Sequence, residues 1–180
     1  MGKDTGLLYG NLNYIREIIF QEVMTHEELI KFIHYHDIDT DITQLPNLTK
    51  REKNSLINKK IFKRRRFPAT TEKADVMLSM EYGSRAYNGS GNGRTNKSMQ
   101  EFVSPKFCFN VIVHETVDET ENGSRLLAIE HCLLQLFHNQ KIGTLGTSYI
   151  SHTETILCPQ GYIGICVTMK FTDFIGADRG

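Results

Sequence analysis

Tyr162-Ile163-Gly164-Ile165-Cys166-Val167-Thr168-Met169-Lys170-Phe171 decides the fold. Ile163, Ile165, Val167, Met169 and Phe171 alternate with Tyr162, Gly164, Cys166, Thr168 and Lys170, the two-residue period of a strand. Upstream, Phe107, Phe109, Val111 and Val113 alternate with Cys108, Asn110, Ile112 and His114, which reads as a half-buried strand. Between the two, Ser124 to Phe137 is strongly apolar and long enough for a helix. A turn at Cys158-Pro159-Gln160-Gly161 leads into the last strand, its Pro and Gly suiting a tight reversal. The order strand, helix, strand, turn, strand over Phe102–Phe174 predicts an α+β fold, a small mixed or antiparallel sheet packed by one long helix.

Working outward, Glu72 to Tyr87 returns to strand character, with Val76, Leu78, Met80 and Tyr82 alternating against Asp75, Met77, Ser79 and Glu81. The N-terminal third is helical. Ile15, Ile18, Ile19 and Val23 give an apolar stripe over Leu12–Met24. Thr25-x-x-Glu28 has the pattern of a capping box for a second helix through Leu29, Ile30 and Ile33, the alternative being one bent helix. A short helix follows from Thr49 to about Asn58. These stripes are too narrow to bury well against each other alone, so the helices are expected to cover the sheet. The chain then reads as a single domain over 1–180: a helical part with a basic segment at 1–70, and an α+β core at 74–174.

Composition limits the function classes. The 180 residues carry 21 basic and 21 acidic side chains, so no global field draws the protein to nucleic acid or a membrane surface. No apolar run approaches the roughly 20 residues needed to span a bilayer. Met1 to Gly6 shows neither a secretory signal nor the myristoylation pattern, and an intracellularly made, soluble protein is expected. Cys108, Cys132, Cys158 and Cys166 form no Cys-x-x-Cys pair and read as free thiols. His34 and His36 fall on opposite sides of a helix, and His131 and His138 share a face without a carboxylate partner. Neither a metal nor a cofactor is expected, and no phosphate loop, nucleophile elbow or His-Glu-x-x-His occurs.

Two segments stand out as contact regions. Lys59, Lys60, Lys63, Arg64, Arg65 and Arg66 place six cations in eight residues, around Ile61 and Phe62. Such a run is a solvated charged loop, a contact for an acidic neighbouring subunit, or a phosphate contact on DNA. Asn88-Gly89-Ser90-Gly91-Asn92-Gly93-Arg94-Thr95-Asn96-Lys97 has no apolar residue, which reads as a mobile loop linking two strands. Its length suits a loop ordered against a neighbouring chain, and Asn88, Gly89, Gly91, Asn92, Gly93, Arg94 and Lys97 are the candidate interface positions. An enzyme would have to assemble its site from dispersed groups, such as His114, Glu115, Arg125 and Glu130 at the ends of the predicted strand and helix.

The run Phe109-Asn110-Val111-Ile112-Val113-His114, the acidic loop after it, Asn122-Gly123-Ser124-Arg125 and the long helix together resemble the tail terminator proteins of tailed bacteriophages. Lys141-Ile142-Gly143-Thr144-Leu145-Gly146 and Gly161-Tyr162-Ile163-Gly164 extend the resemblance, which covers Ala74 to Phe174. It implies a structural virion protein, usually a hexameric ring, that ends tail-tube polymerisation and joins the tail to the head connector. The implied partners are other copies of the chain, the tail tube protein and the connector, with genomic DNA as a further contact and no membrane. The implied place is the neck of the virion, assembled in the host bacterial cytoplasm. No catalytic, metal or cofactor residue comes with the resemblance, so no enzyme is expected. The helical N-terminus and the basic run depart from a compact terminator and leave two alternatives: a head-completion or connector protein of the neck, and a DNA-binding accessory protein using residues 59–66.

Overall fold

The computed structural model describes residues 4–35, 41–64, 74–82, 86–87, 103–104, 106–121, 123–142 and 146–171. It is an α+β fold. The helices are α1 (Asp4–Thr25), α2 (Glu27–His34), α3 (Lys50–Leu56) and α4 (Arg125–Phe137). A six-stranded mixed sheet runs in the order β1-β2-β5-β10-β9-β8. Its strands are β1 (Ile61–Phe62), β2 (Val76–Tyr82), β5 (Lys106–His114), β8 (Gln140–Lys141), β9 (Thr147–Thr155) and β10 (Tyr162–Phe171). All neighbours are antiparallel except β1, which runs parallel to β2. Two small ladders lie apart from it, β3 (Ala86–Tyr87) with β4 (Val103–Ser104), and β6 (Glu119–Thr120) with β7 (Gly123–Ser124).

Alternation along β2, β5 and β10 builds the main core. Val76, Leu78, Met80, Phe107, Phe109, Val111, Val113, Val167 and Met169 are buried on one face. Helix α4 lies on that face against β5, β9 and β10, and α2 packs against both α4 and β2. Phe137, the last residue of α4, stacks on Phe109 with ring centroids 5.0 Å apart. Phe107 meets Tyr82 and Phe171 edge-on. Ile15, Ile19, Phe20 and Val23 of α1 belong to the same cluster as the sheet residues, so the N-terminal helices and the sheet share one core.

Local signals set the helix ends. Ser124 caps α4 by accepting from the Leu127 amide, and Asp118 accepts from the Leu126 amide, which satisfies donors a helix start leaves open. At the far end, Asn139 takes the left-handed conformation at φ 58°, and the buried Ser148 hydroxyl donates to the Phe137 carbonyl. Thr49 and Glu52 form a full capping box on α3.

Several expectations need correcting. The capping box expected at Thr25 and Glu28 is absent: Thr25 is the last residue of α1, its hydroxyl bonded back to the Glu22 carbonyl. His26 is the N-cap of α2, and its Nδ1 accepts from the Leu29 amide at 3.2 Å. Helix α1 also begins earlier than Leu12, at Asp4. The strand character expected over Glu72–Tyr87 is confined in β2 to Val76–Tyr82. The strand expected to be half-buried is covered on both faces at its centre, since Asn110 and Ile112 are buried as well.

Candidate functional site

The described part of the basic run is built into the fold. After α3, Asn58 adopts φ 63° and turns the chain, and the Lys59 and Lys60 amides donate to the Leu56 carbonyl. Ile61 and Phe62, which interrupt the charges in sequence, are β1 and are buried. Lys60 Nζ lies 3.0 Å from Asp75 and donates to the Ile33 carbonyl at the end of α2. Lys63 Nζ reaches Glu17 on α1 at 2.5 Å and sits 4.3 Å above the Phe20 ring. These two lysines therefore tie the N-terminal helices to the sheet edge. Lys59 and Arg64 are exposed, whereas Arg65 and Arg66 lie outside the described residues. The loop positions Asn88, Gly89, Gly91, Asn92, Gly93, Arg94 and Lys97 lie outside them too.

The dispersed polar groups His114, Glu115 and Arg125 are each engaged in local structural contacts. His114 ends β5 with its ring edge-on to Tyr162, and its Nδ1 is 2.8 Å from the Thr116 hydroxyl. Glu115 opens a short 3-10 turn, its amide donating to the Gly161 carbonyl. Arg125 is buried at 2% exposure, and its guanidinium donates to the carbonyls of Val117 at 2.7 Å, Phe32 at 3.0 Å and Tyr35 at 3.4 Å. It thus closes the C-terminal end of α2, where helix carbonyls lack partners. Glu130 lies one turn further along α4, partly exposed. Among the described residues, no three His, Cys, Asp or Glu side chains gather so as to hold a metal ion, and no helix is long and apolar enough to cross a membrane.

The second face of the sheet carries features that sequence reasoning missed. Phe62, Met77, Ile112 and Tyr162 form a small apolar cluster there, with Ile156 and Cys158 folded over it from the β9–β10 connection. Beside it the register lays out two polar rows. One runs Phe62, Ser79, Asn110, Cys166, Glu154, and the other Glu81, Cys108, Thr168, His152. The Cys108 and Cys166 sulfurs lie 3.8 and 4.0 Å from the Thr168 hydroxyl. The neighbouring Cys166 thiol, then Thr168, holds the Cys108 thiol below its ordinary range, while Cys166 is raised by Cys108 and by burial. Burial alone lifts Cys158, and burial with the charge of Glu28 lifts Cys132 to about 12. Both members of the pair occupy outward positions in the alternation, but only the strand register sets them side by side.

The YomW family model matches residues 26–171, from the N-cap of α2 to the last residue of β10. The chain belongs to the YomW family. This family is phage-associated. The YomW match takes in the whole sheet and α2 to α4 and leaves out α1. No curated protein matches the chain.

Proposed function

We propose that this YomW-family chain is a structural virion protein, without catalytic activity, that forms a ring at the neck end of a phage tail. In this reading the ring, six copies in the tail terminators it resembles, ends tail-tube polymerisation and joins the tail to the head connector. Its partners are further copies of itself, the tube protein and the connector. Assembly takes place in the host cytoplasm and the product resides in the virion.

The observation that carries the reading is the outer flank of β9. Strand β8 covers only Thr147 and Ser148, and among the described residues no strand lies beyond them on that side. His152, Thr153, Glu154 and Thr155 are exposed along it. The opposite edge, β1, is also only two residues long. A ring needs one patch meeting a different patch and closing by rotation, and two unlike sheet edges supply such a pair. Membership in a phage-associated family supports the same assignment. Contact with exiting DNA would fall to Lys59 and Arg64 among the described cations, since Lys60 and Lys63 are paired within the chain.

Electron microscopy of particles made after disruption of the gene tests the proposal. Filled heads beside detached tails of uncontrolled length are expected. Detached tails of normal length would assign the protein to the connector instead, and intact infectious particles would sink the structural reading. Binding to DNA that falls steeply with salt and is lost on neutralising Arg64 to Arg66 would favour the accessory reading.

A further inference from the structure

We propose that Cys108 and Cys166 form a two-cysteine oxidation site, in which a hydroperoxide converts Cys108 to a sulfenic acid and Cys166 closes it to a disulfide between β5 and β10. The inference is independent of the ring reading. It rests on three features of the second sheet face.

The first is convergence. Cys108 stands opposite Thr168, and Cys166 is two residues from Thr168 on the same strand, so the cysteines are diagonal neighbours on one face. Diagonal positions are ordinarily about 7–8 Å apart, slightly more than a disulfide spans without backbone movement. Here both sulfurs lean onto the one Thr168 hydroxyl, at 3.8 and 4.0 Å. Closing the pair from this shared contact takes side-chain rotation and a local shift of β10 along β5.

The second is asymmetry. Cys108 is partly exposed and Cys166 is buried at 6%. Cys108 is the member within reach of solvent, and the Cys166 thiol and the Thr168 hydroxyl beside it favour its thiolate. Exposure sets Cys108 as the nucleophile and the buried Cys166 as the resolving thiol. The thiolate attacks the peroxide, an O–O bond breaks, and hydroxide leaves, taking up a proton to give water. The Cys166 sulfur then attacks the sulfenic sulfur, losing its proton as a second water departs. Two thiols supply two electrons, and the peroxide accepts them.

The third is charge. Glu81 faces Cys108 across β2, Glu154 faces Cys166 across β9, and His152 faces Thr168. The two carboxylates oppose thiolate formation but count for less than the Cys166 thiol and Thr168. They also repel anionic disulfides such as oxidised glutathione, which selects a small neutral oxidant.

The test treats the full chain with hydrogen peroxide and maps its peptides without reduction. The expected product is a Cys108–Cys166 linked pair, lighter by two hydrogens and reversed by dithiothreitol. In Cys166→Ser, dimedone should trap a sulfenic acid on Cys108, and in Cys108→Ser, Cys166 should remain a thiol. Cys108 is expected to react on the order of tenfold faster than Cys158 in the unsubstituted chain, a comparison that needs no variant to fold. Oxidation confined to Cys158, or reaction of Cys108 only after the chain is unfolded, would overturn the assignment. So would a Cys108 sulfenic acid that accumulates with Cys166 intact.

Discussion

A methyl group at Gly164 would meet Cys158 Sγ at 2.6 Å, the Val111 carbonyl at 2.7 Å and Ile112 Cγ2 at 2.9 Å. Two of these three neighbours are fixed, one as backbone of the central strand and one as a buried side chain, so β10 lets the 156–161 connection down onto the sheet only because that position is bare. Gly164→Ala should therefore destabilise the fold by about 1–3 kcal/mol, read as a lower denaturant midpoint with an unchanged slope. An unchanged midpoint would mean that the connection lifts away at no cost. The sequence places Gly164 correctly in a strand, but periodicity cannot show that its outward side lies under Cys158. The same limit hides the thiol pair. Cys108 and Cys166 are 58 residues apart in the chain, and nothing short of the register Thr168 to Cys108 brings them together. His114, Glu115, Arg125 and Glu130 illustrate the reverse. Strand and helix ends make them look able to meet, yet Arg125 is committed to backbone carbonyls.

Two elements are legible to within a residue: the alternation from Lys106 to His114 gives β5, and the apolar run from Ser124 to Phe137 gives α4. Strand β1 is not legible, because two apolar residues in a charge run show no period and become a strand only by lying along β2. Nor are the partners of Lys60 and Lys63, which come from Asp75 and Glu17, outside the run. The α1–α2 junction differs from the sequence pattern because Thr25 and Glu28, three residues apart, satisfy the box spacing, whereas a histidine acceptor does not belong to the usual set. That substitution makes the junction sensitive to pH. Burial lowers the His26 pKa, outweighing the opposing fields of Glu28 and Glu27. The unfolded chain, at 6.5, therefore binds the proton first as pH falls. The contribution of His26 to stability is whole above the unfolded value and is lost as pH drops through the folded one, where Nδ1 can no longer accept. His26→Asn keeps an acceptor at the cap without titrating. It should flatten the fall in melting temperature between neutral pH and about pH 5. Equal slopes in both proteins would remove His26 as the cause.

For the molecule entire, the same sheet that supplies a core supplies two short, unlike edges. The flank of β9 is polar, so a contact along it gains backbone hydrogen bonds but little apolar burial and is weak on its own. Sedimentation velocity on the dilute chain should accordingly show a monomer, with association appearing only when a tube or connector surface is present. A tight hexamer in dilute solution would mean that some other surface holds the ring. Arg125 has a consequence in time as well as in space. Its carbonyl acceptors at Phe32 and Tyr35 precede it by 93 and 90 residues. At translation speeds of about 5–20 residues per second, those carbonyls wait roughly 5–20 s on the ribosome for the guanidinium that will cover them. During that interval the sheet still lacks β8, β9 and β10 and no cation closes α2, so the apolar stripes of the N-terminal helices are the part of a nascent chain that a chaperone would meet first.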